Sequence, residues 1–357
     1  MTRTPEYLSP QAGANAPHAT GVLATGAESA DLVLSNLRPT DPLYADAQRL
    51  AESIAASKSE ATKSAYRSDW KDFDSWCAAN GLVPLPATPQ TVALYISHLS
   101  QPGKGEKARA VATITRRLAA INSVHKGKGL KAPGKMDDPV LAAALQGIRR
   151  LLGSKQKAKK PLTLDLILRV VDSLQGPVAS RRDHALLLVG FVGALRRSEI
   201  AAIRVEDLRP HGDGYTLRIP RSKTDQEQKG REVELLPGKD YKSCPVRTLQ
   251  NWLKAENIVS GPVFRKVDLY GNVGERPLTA HAVGEIVKRL VKQADLADPK
   301  EYGAHSLRAG FVTQAAAKGA SDRQIMRQTG HKSHAMIDRY ARAEQRDREA
   351  AVAALGN

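Results

Sequence analysis

From residue 46 to residue 153 the apolar side chains recur every three or four positions. Tyr66, Trp70, Phe73 and Cys77 are spaced 4, 3 and 4 apart, and Leu141, Leu145, Ile148 and Leu152 repeat that spacing. Val111, Ile114, Leu118 and Ile121 share one face in the same way. A 3.6-residue period gathers such residues on one side of a helix. The punctuation agrees. Thr88-Pro89 reads as a cap and first-turn proline opening a helix through Leu99. Gly81 and Gly153 follow helical stretches as stops. The segment 46–153 is therefore expected to be a small all-helical domain. Residues 154–161 are polar, basic and closed by Pro161, the composition of an exposed linker.

Beyond the linker a new helix is expected near Thr163, and Asp183 to Val192 reads as an apolar helix. Tyr215 to Pro220 and Arg231 to Leu235 alternate like strands and flank a polar stretch, which predicts a hairpin. The rest reads as mostly helical. The expected fold is mainly α: an N-terminal all-helical domain, then a mostly helical domain with a small antiparallel β-sheet. Residues 1–45, rich in Ala, Thr, Ser, Gly and Pro, read as a disordered tail.

Charge narrows the partner. The 357 residues carry 54 Lys plus Arg against 37 Asp plus Glu, a net charge of +17. Residues 101–160 alone hold 15 basic and 3 acidic residues, whereas residues 1–45 hold 2 and 4. So lopsided a block points to a polyanion, with nucleic acid before an anionic membrane. No apolar run is long enough for a membrane-spanning helix, and no secretory signal is visible. Two distant cysteines, Cys77 and Cys244, make neither a disulfide framework nor a four-cysteine zinc site, and a reducing cytoplasm is the simplest reading. Aromatics at 4% weaken a model of single-strand binding by base stacking. On the helix near 111–121, Arg109, Thr113, Arg116 and Ala120 lie opposite the apolar stripe, a face suited to a major groove or an ordinary solvated face. Lys63, Arg67, Arg117, Lys157, Lys159 and Lys160 complete the candidate DNA contacts.

Three short segments in the second half carry groups usable at a phosphate. In Gly193-Ala194-Leu195-Arg196-Arg197-Ser198-Glu199, Ser198 could cap a helix starting at Glu199 and leave Arg196 beside its positive end. In Gly303-Ala304-His305-Ser306-Leu307-Arg308, the histidine and arginine share a helix face. In the third, Gly330-His331 is followed nine residues later by Tyr340. Each is weak alone. Their order and spacing together resemble the tyrosine recombinase (phage integrase) family over about residues 46–345, and within it the simple recombinases of the Cre type.

The resemblance implies the roles. Arg196 and Arg308 would grip the non-bridging oxygens of a scissile phosphate, a task the planar guanidinium suits. Glu199 would orient Arg196. His305 would assist proton removal from Tyr340, the nucleophile, and His331 would be a further phosphate contact. Lys223 would protonate the leaving 5′-oxygen, with Lys229 the alternative. Attack would form a 3′-phosphotyrosine bond without metal, ATP or other cofactor. The implied partner is duplex DNA with a specific, inverted-repeat site, bound by a tetramer. The expected division is a core-DNA-binding domain at 46–153, a catalytic domain at 162–344, and a C-terminal tail helix at 345–357 that docks on a neighbouring protomer or packs on its own domain. The competing readings are a type IB topoisomerase-like enzyme and an inactive sequence-specific DNA-binding protein.

Overall fold

The computed structural model describes residues 38–101, 103, 105–134, 137–153, 159–220, 230–296, 298–331 and 333–334. It divides into two compact units, with the division between Gln156 and Lys157. Residues 1–37 of the expected N-terminal tail and the C-terminal segment 345–357 lie outside the described residues, as do Lys157, Lys223, Lys229 and Tyr340.

The first unit contains α1 (Tyr44–Ala56), α2 (Glu60–Ala79), α3 (Pro89–Ser100), α4 (Val111–Gly127) and α5 (Pro139–Leu152). The caps follow the sequence. The Thr88 hydroxyl accepts the Thr91 N–H at 3.1 Å, and the Asp138 carboxylate accepts the Leu141 N–H at 2.9 Å. Pro89 and Pro139 occupy the first turns, where a missing N–H costs nothing. Gly153 ends α5 at φ +69°, a backbone conformation that favours glycine. The expected stripes meet in one core of Trp70, Phe73, Cys77, Tyr95, Ile96, Ile114, Leu118, Ile121, Leu141, Leu145 and Ile148. Leu152, the last member of its stripe, is exposed.

One polar side chain inside this core is bonded at both ring nitrogens. Fully buried His125 has Nδ1 2.9 Å from the Ile121 carbonyl, and its Nε2 accepts the Ala87 N–H at 2.8 Å. The ring is therefore a neutral Nδ1–H tautomer. Burial lowers its pKa, against the opposing effect of the Ile121 bond.

The second unit opens with α6 (Leu164–Asp172), α7 (Pro177–Val192) and α8 (Arg197–Ala202). A three-stranded antiparallel sheet follows: β1 (Leu208–His211), β2 (Gly214–Ile219) and β3 (Arg231–Leu235), in that order, with Ile219 opposite Arg231. Then come α9 (Pro245–Ala255), the hairpin β4 (Arg265–Val267) and β5 (Val273–Pro277), α10 (Ala280–Gln293), α11 (Ala304–Ala317) and α12 (Asp322–Thr329). The short β4–β5 hairpin interrupts the mostly helical stretch expected after β3. Helix α7 is the hub: Ala185 to Val189 and Phe191 are buried. A helix apolar on all sides belongs at the centre of a domain. At Gly310 of α11 the chain runs against residue 162, where a Cβ would stand 2.0 Å from the Leu162 carbonyl oxygen. The Leu162 N–H donates to the Ser306 carbonyl at 2.9 Å, which fixes the start of this unit onto α11.

Candidate active site

The site is built where the α7–α8 turn, the start of β3, the start of α11 and the end of α12 meet. The turn is held from two sides. Arg308, 1% exposed, donates from Nη1 to the Ala194 carbonyl at 2.7 Å. The Gln328 amide donates to the Val192 carbonyl at 2.8 Å. Ala194 takes φ +47°, a left-handed conformation uncommon for a residue with a Cβ. Strain of that kind persists only where surrounding contacts over-determine it.

Glu199 organises the next residues. Its buried carboxylate accepts the Arg196 backbone N–H at 2.9 Å and the Arg196 Nη1 at 2.7 Å. This corrects the expected cap. Arg196 is the N-cap residue, α8 begins at Arg197, and Glu199 rather than exposed Ser198 satisfies the first N–H. The acid also accepts Arg231 Nη2 at 2.8 Å. Burial alone would raise the Glu199 pKa. Arg231 and the bonds from Arg196 outweigh it and hold the pKa below the usual carboxylate range.

The two histidines feel the same cations. His305, in the first turn of α11, is exposed to solvent. Nearby protein still displaces part of its water, and Arg308 and Arg196 add to this, so its pKa falls. His331 is 8% exposed, and its pKa is pushed down to about 4, first by burial, then by Arg308 and Arg196, with His305 and Arg231 adding. Gly330, in left-handed conformation at φ +68°, ends α12 and turns the chain into His331. Thr329 Oγ1 lies 2.7 Å from the Ile325 carbonyl and 3.0 Å from His331 Nδ1. The Ile325 carbonyl takes the hydroxyl's single proton, so the neutral ring donates from Nδ1–H to Thr329 Oγ1, and an Nε2–H ring requires the hydroxyl to turn from Ile325 to Nδ1.

Four expected residues, Arg196, Arg308, His305 and His331, thus act on one another in one place, with Glu199 beneath Arg196. Sequence reasoning missed Arg231. It stands at the end of an alternating strand and reads there as solvent-facing, yet its side chain is 13% exposed.

The candidate DNA contacts fare unevenly. Arg67, Arg109 and Arg116 are exposed and Thr113 is half-buried. Arg109 precedes α4, and Ala120 is buried, so the expected helix face is shorter than the spacing suggested. Arg117 is a correction. It turns inward, with Nη2 2.9 Å from Asp72 Oδ2 and Nη1 2.7 Å from the Tyr95 hydroxyl. Lys63 pairs with Glu60 at 2.7 Å, Lys160 with Glu301 at 2.6 Å, and Lys159 donates to the Lys300 carbonyl. Among the described residues no helix is long and apolar enough to cross a membrane, and no group of three or more His, Cys, Asp or Glu is placed to hold a metal ion.

Residues 160–346 match the phage integrase family. An integrase/recombinase XerD homologue of Selenomonas ruminantium is 36% identical over 291 residues, 80% of this chain and 83% of its own. The Cre recombinase of Escherichia phage P1 is 26% identical over 290 residues, 76% of this chain and 81% of its own. Among solved structures, XerH site-specific recombinase bound to a palindromic difH substrate shares the fold. Its TM-score is 0.58 at 18% identity, covering 92% of this chain and 94% of that one. The chain belongs to the phage integrase family, the tyrosine recombinases, enzymes that break and rejoin DNA strands.

Proposed function

We propose that the cluster around Glu199 is the active site of a site-specific recombinase acting on duplex DNA, with Tyr340 as its nucleophile. The observation that carries this reading is the convergence of Arg196, Arg308, His305 and His331, which alter one another's electrostatics within a single site. Attack on a phosphodiester builds negative charge on the non-bridging oxygens. Preorganised cations and N–H donors aimed at that charge are the strongest available stabilisers. Arg196 is held by Glu199, and Arg308 by the Ala194 carbonyl, so neither guanidinium reorganises when the phosphate arrives.

The tyrosine hydroxyl, with an ordinary pKa of about 10, needs a base and nearby positive charge to attack at neutral pH. His305, kept neutral by its surroundings, can take that proton. His331 donates to a phosphate oxygen from Nε2–H once the Thr329 hydroxyl turns from the Ile325 carbonyl to Nδ1. Lys223, or Lys229, gives a proton to the departing 5′-oxygen. The phosphorus–O3′ ester remains while the bond to the 5′-oxygen breaks and one to Tyr340 forms. The energy stays in the phosphotyrosine, so another 5′-hydroxyl can reverse the step.

The first unit supplies duplex binding through Arg67, Arg109 and Arg116, with Lys63 and Thr113 as further contacts, and Lys157, Lys159 and Lys160 add contacts from the start of the second. Symmetric exchange asks for an inverted-repeat site and four protomers, with residues 345–357 docking on a neighbour.

A nicked cognate half-site tests the proposal, because loss of the short 5′ fragment traps the covalent complex. Wild type is expected to accumulate it and Tyr340→Phe to form none. Persistence of the complex in Tyr340→Phe would remove the assigned nucleophile. Exchange between two defined sites, rather than relaxation of any supercoiled plasmid, separates a recombinase from a topoisomerase.

A further inference from the structure

We propose that Arg231 is a positioning residue that locks three active-site segments into one register: the hairpin end, the Arg196–Glu199 pair and the loop that carries His331. The inference rests on the reading of this cluster as the active site and deepens it.

The geometry is specific. Arg231 is the first residue of β3, directly after Gly230. The stretch immediately before, 221–229, contains both lysine candidates. From this position the guanidinium reaches two other segments at once. Nη2 donates to Glu199 Oε2 at 2.8 Å, the same oxygen that accepts the Arg196 backbone N–H at 2.9 Å. Nη1 donates to the backbone carbonyl of Gln328 at 2.5 Å, three residues before His331. The link to that last segment is doubled, because the Gln328 amide donates to the carbonyl of Glu234 at 2.9 Å. Strand β3 and the end of α12 are therefore pinned at Arg231 and again at Glu234. Gly330 leaves room for this arrangement. A Cβ there would stand 2.9 Å from Arg231 Cδ.

The arrangement explains the choice of arginine. A two-pronged planar donor can bond two acceptors on different elements with one fixed fork, and a lysine ammonium on a flexible stem cannot reproduce that geometry. A buried charge is also costly, and here it is matched by a buried carboxylate that serves Arg196 at the same time. An arginine needed only to hold β3 against α8 would be satisfied by Glu199 alone. Its second bond ends on the segment that delivers His331. Displacement of reacting groups by about 1 Å can cost roughly a hundredfold in rate. A pin shared by the start of β3, Arg196 and the segment carrying His331 therefore acts on all three together.

The test compares wild type, Arg231→Lys, Arg231→Met, Glu199→Gln and the double variant Arg231→Met/Glu199→Gln. For each, the single-turnover rate of covalent complex formation on a nicked half-site is measured alongside duplex affinity and thermal midpoint. Arg231→Lys is expected to fold and to bind duplex DNA within a factor of about three of wild type, while cleaving at least about tenfold more slowly. Arg231→Met should lose more. In the Glu199→Gln background its additional effect should shrink, because both changes release the same Arg196. The His331 pKa, read by NMR, should rise in Arg231→Met as a nearby cation is removed. If Arg231→Lys cleaves at the wild-type rate, or loses rate only in proportion to lost binding or folding, the positioning role is overturned. Arg196→Ala guards the underlying reading. If that variant still forms the covalent complex at full rate, the site assignment itself has failed, whatever Arg231 does.

Discussion

At the scale of single residues, the site works by holding charges where water would otherwise take them. Glu199 is the clearest case. One buried carboxylate accepts from Arg196 twice and from Arg231 once, and the cations keep it ionised despite its burial. His331 shows the reverse. It is buried among cations that disfavour its charged form. Its pKa of about 4 in the folded state lies below the ordinary 6.5, so its linkage to stability has a definite sign. Above pH 6.5 it is neutral in both states and its contribution is complete. As pH falls toward about 4, the unfolded chain takes up a proton that the folded chain refuses, and stability is lost. The loss is on the order of 3 kcal/mol. His331→Gln should therefore flatten the fall in urea-unfolding stability between pH 7 and pH 4. His125, His184 and His305 are shifted in the same direction, so part of the slope should remain. An unchanged slope in His331→Gln would contradict the burial and charge environment described for this histidine. Arg117 carries a different lesson. It lies three residues after Ile114 and four before Ile121, so the spacing already placed it on the apolar face. Its charge suggested DNA, but its position decided for Asp72 and Tyr95.

At the scale of elements, local signals were legible and contacts between distant segments were not. The caps at Thr88 and Asp138, the stripes of α2 to α5, and the β2–β3 hairpin all follow from spacing and punctuation within a few residues. The hairpin β4–β5 was not legible, because Arg265–Val267 is three residues long and too short to alternate. Helix α1 was missed because small residues, Ala47 and Ala51, make its buried face. The order of Arg196, His305, Arg308 and His331 exposed most of the site. Arg231 escaped because nothing local marks it: its partners lie 32 and 97 residues away. Close approach between elements gives a sharp prediction. Gly310→Ala would drive a methyl group into the Leu162 backbone, where neither α11 nor the start of the second unit can yield as a flexible side chain would. A destabilisation of roughly 1–3 kcal/mol is expected, the usual cost of overpacking. Thermal or denaturant unfolding that matches wild type would show that the two segments are not packed as described.

For the whole molecule, the charge of +17 now divides by task. The site's own cations are few and buried or half-buried, and several are committed to internal partners. Among the exposed candidate arginines of the first unit, Arg67 and Arg109 are the ones most available to a DNA backbone, since Arg116 Nη2 already pairs with buried Asp69 at 3.1 Å. Replacing Arg67 and Arg109 is expected to weaken duplex binding and to reduce the log–log salt slope by about 0.9 for each phosphate no longer neutralised. Replacing Lys160 should change it less, since that ammonium already pairs with Glu301 at 2.6 Å. Equal effects from all three would mean that internal pairing does not sort these charges. Arg308→Lys should do the opposite, sparing most of the binding while stopping cleavage, because a lysine cannot keep both the Ala194 carbonyl and a phosphate oxygen. The central claim is that these groups together activate Tyr340 against a phosphodiester. Its most direct measurement is peptide mapping by mass spectrometry of the covalent complex trapped on a nicked site, after nuclease trimming of the DNA. The expected product is a nucleotide joined through its 3′-phosphate to Tyr340, with a free 5′-hydroxyl on the released strand. An adduct on any other residue, or a 5′-phosphate on the released strand, would contradict it.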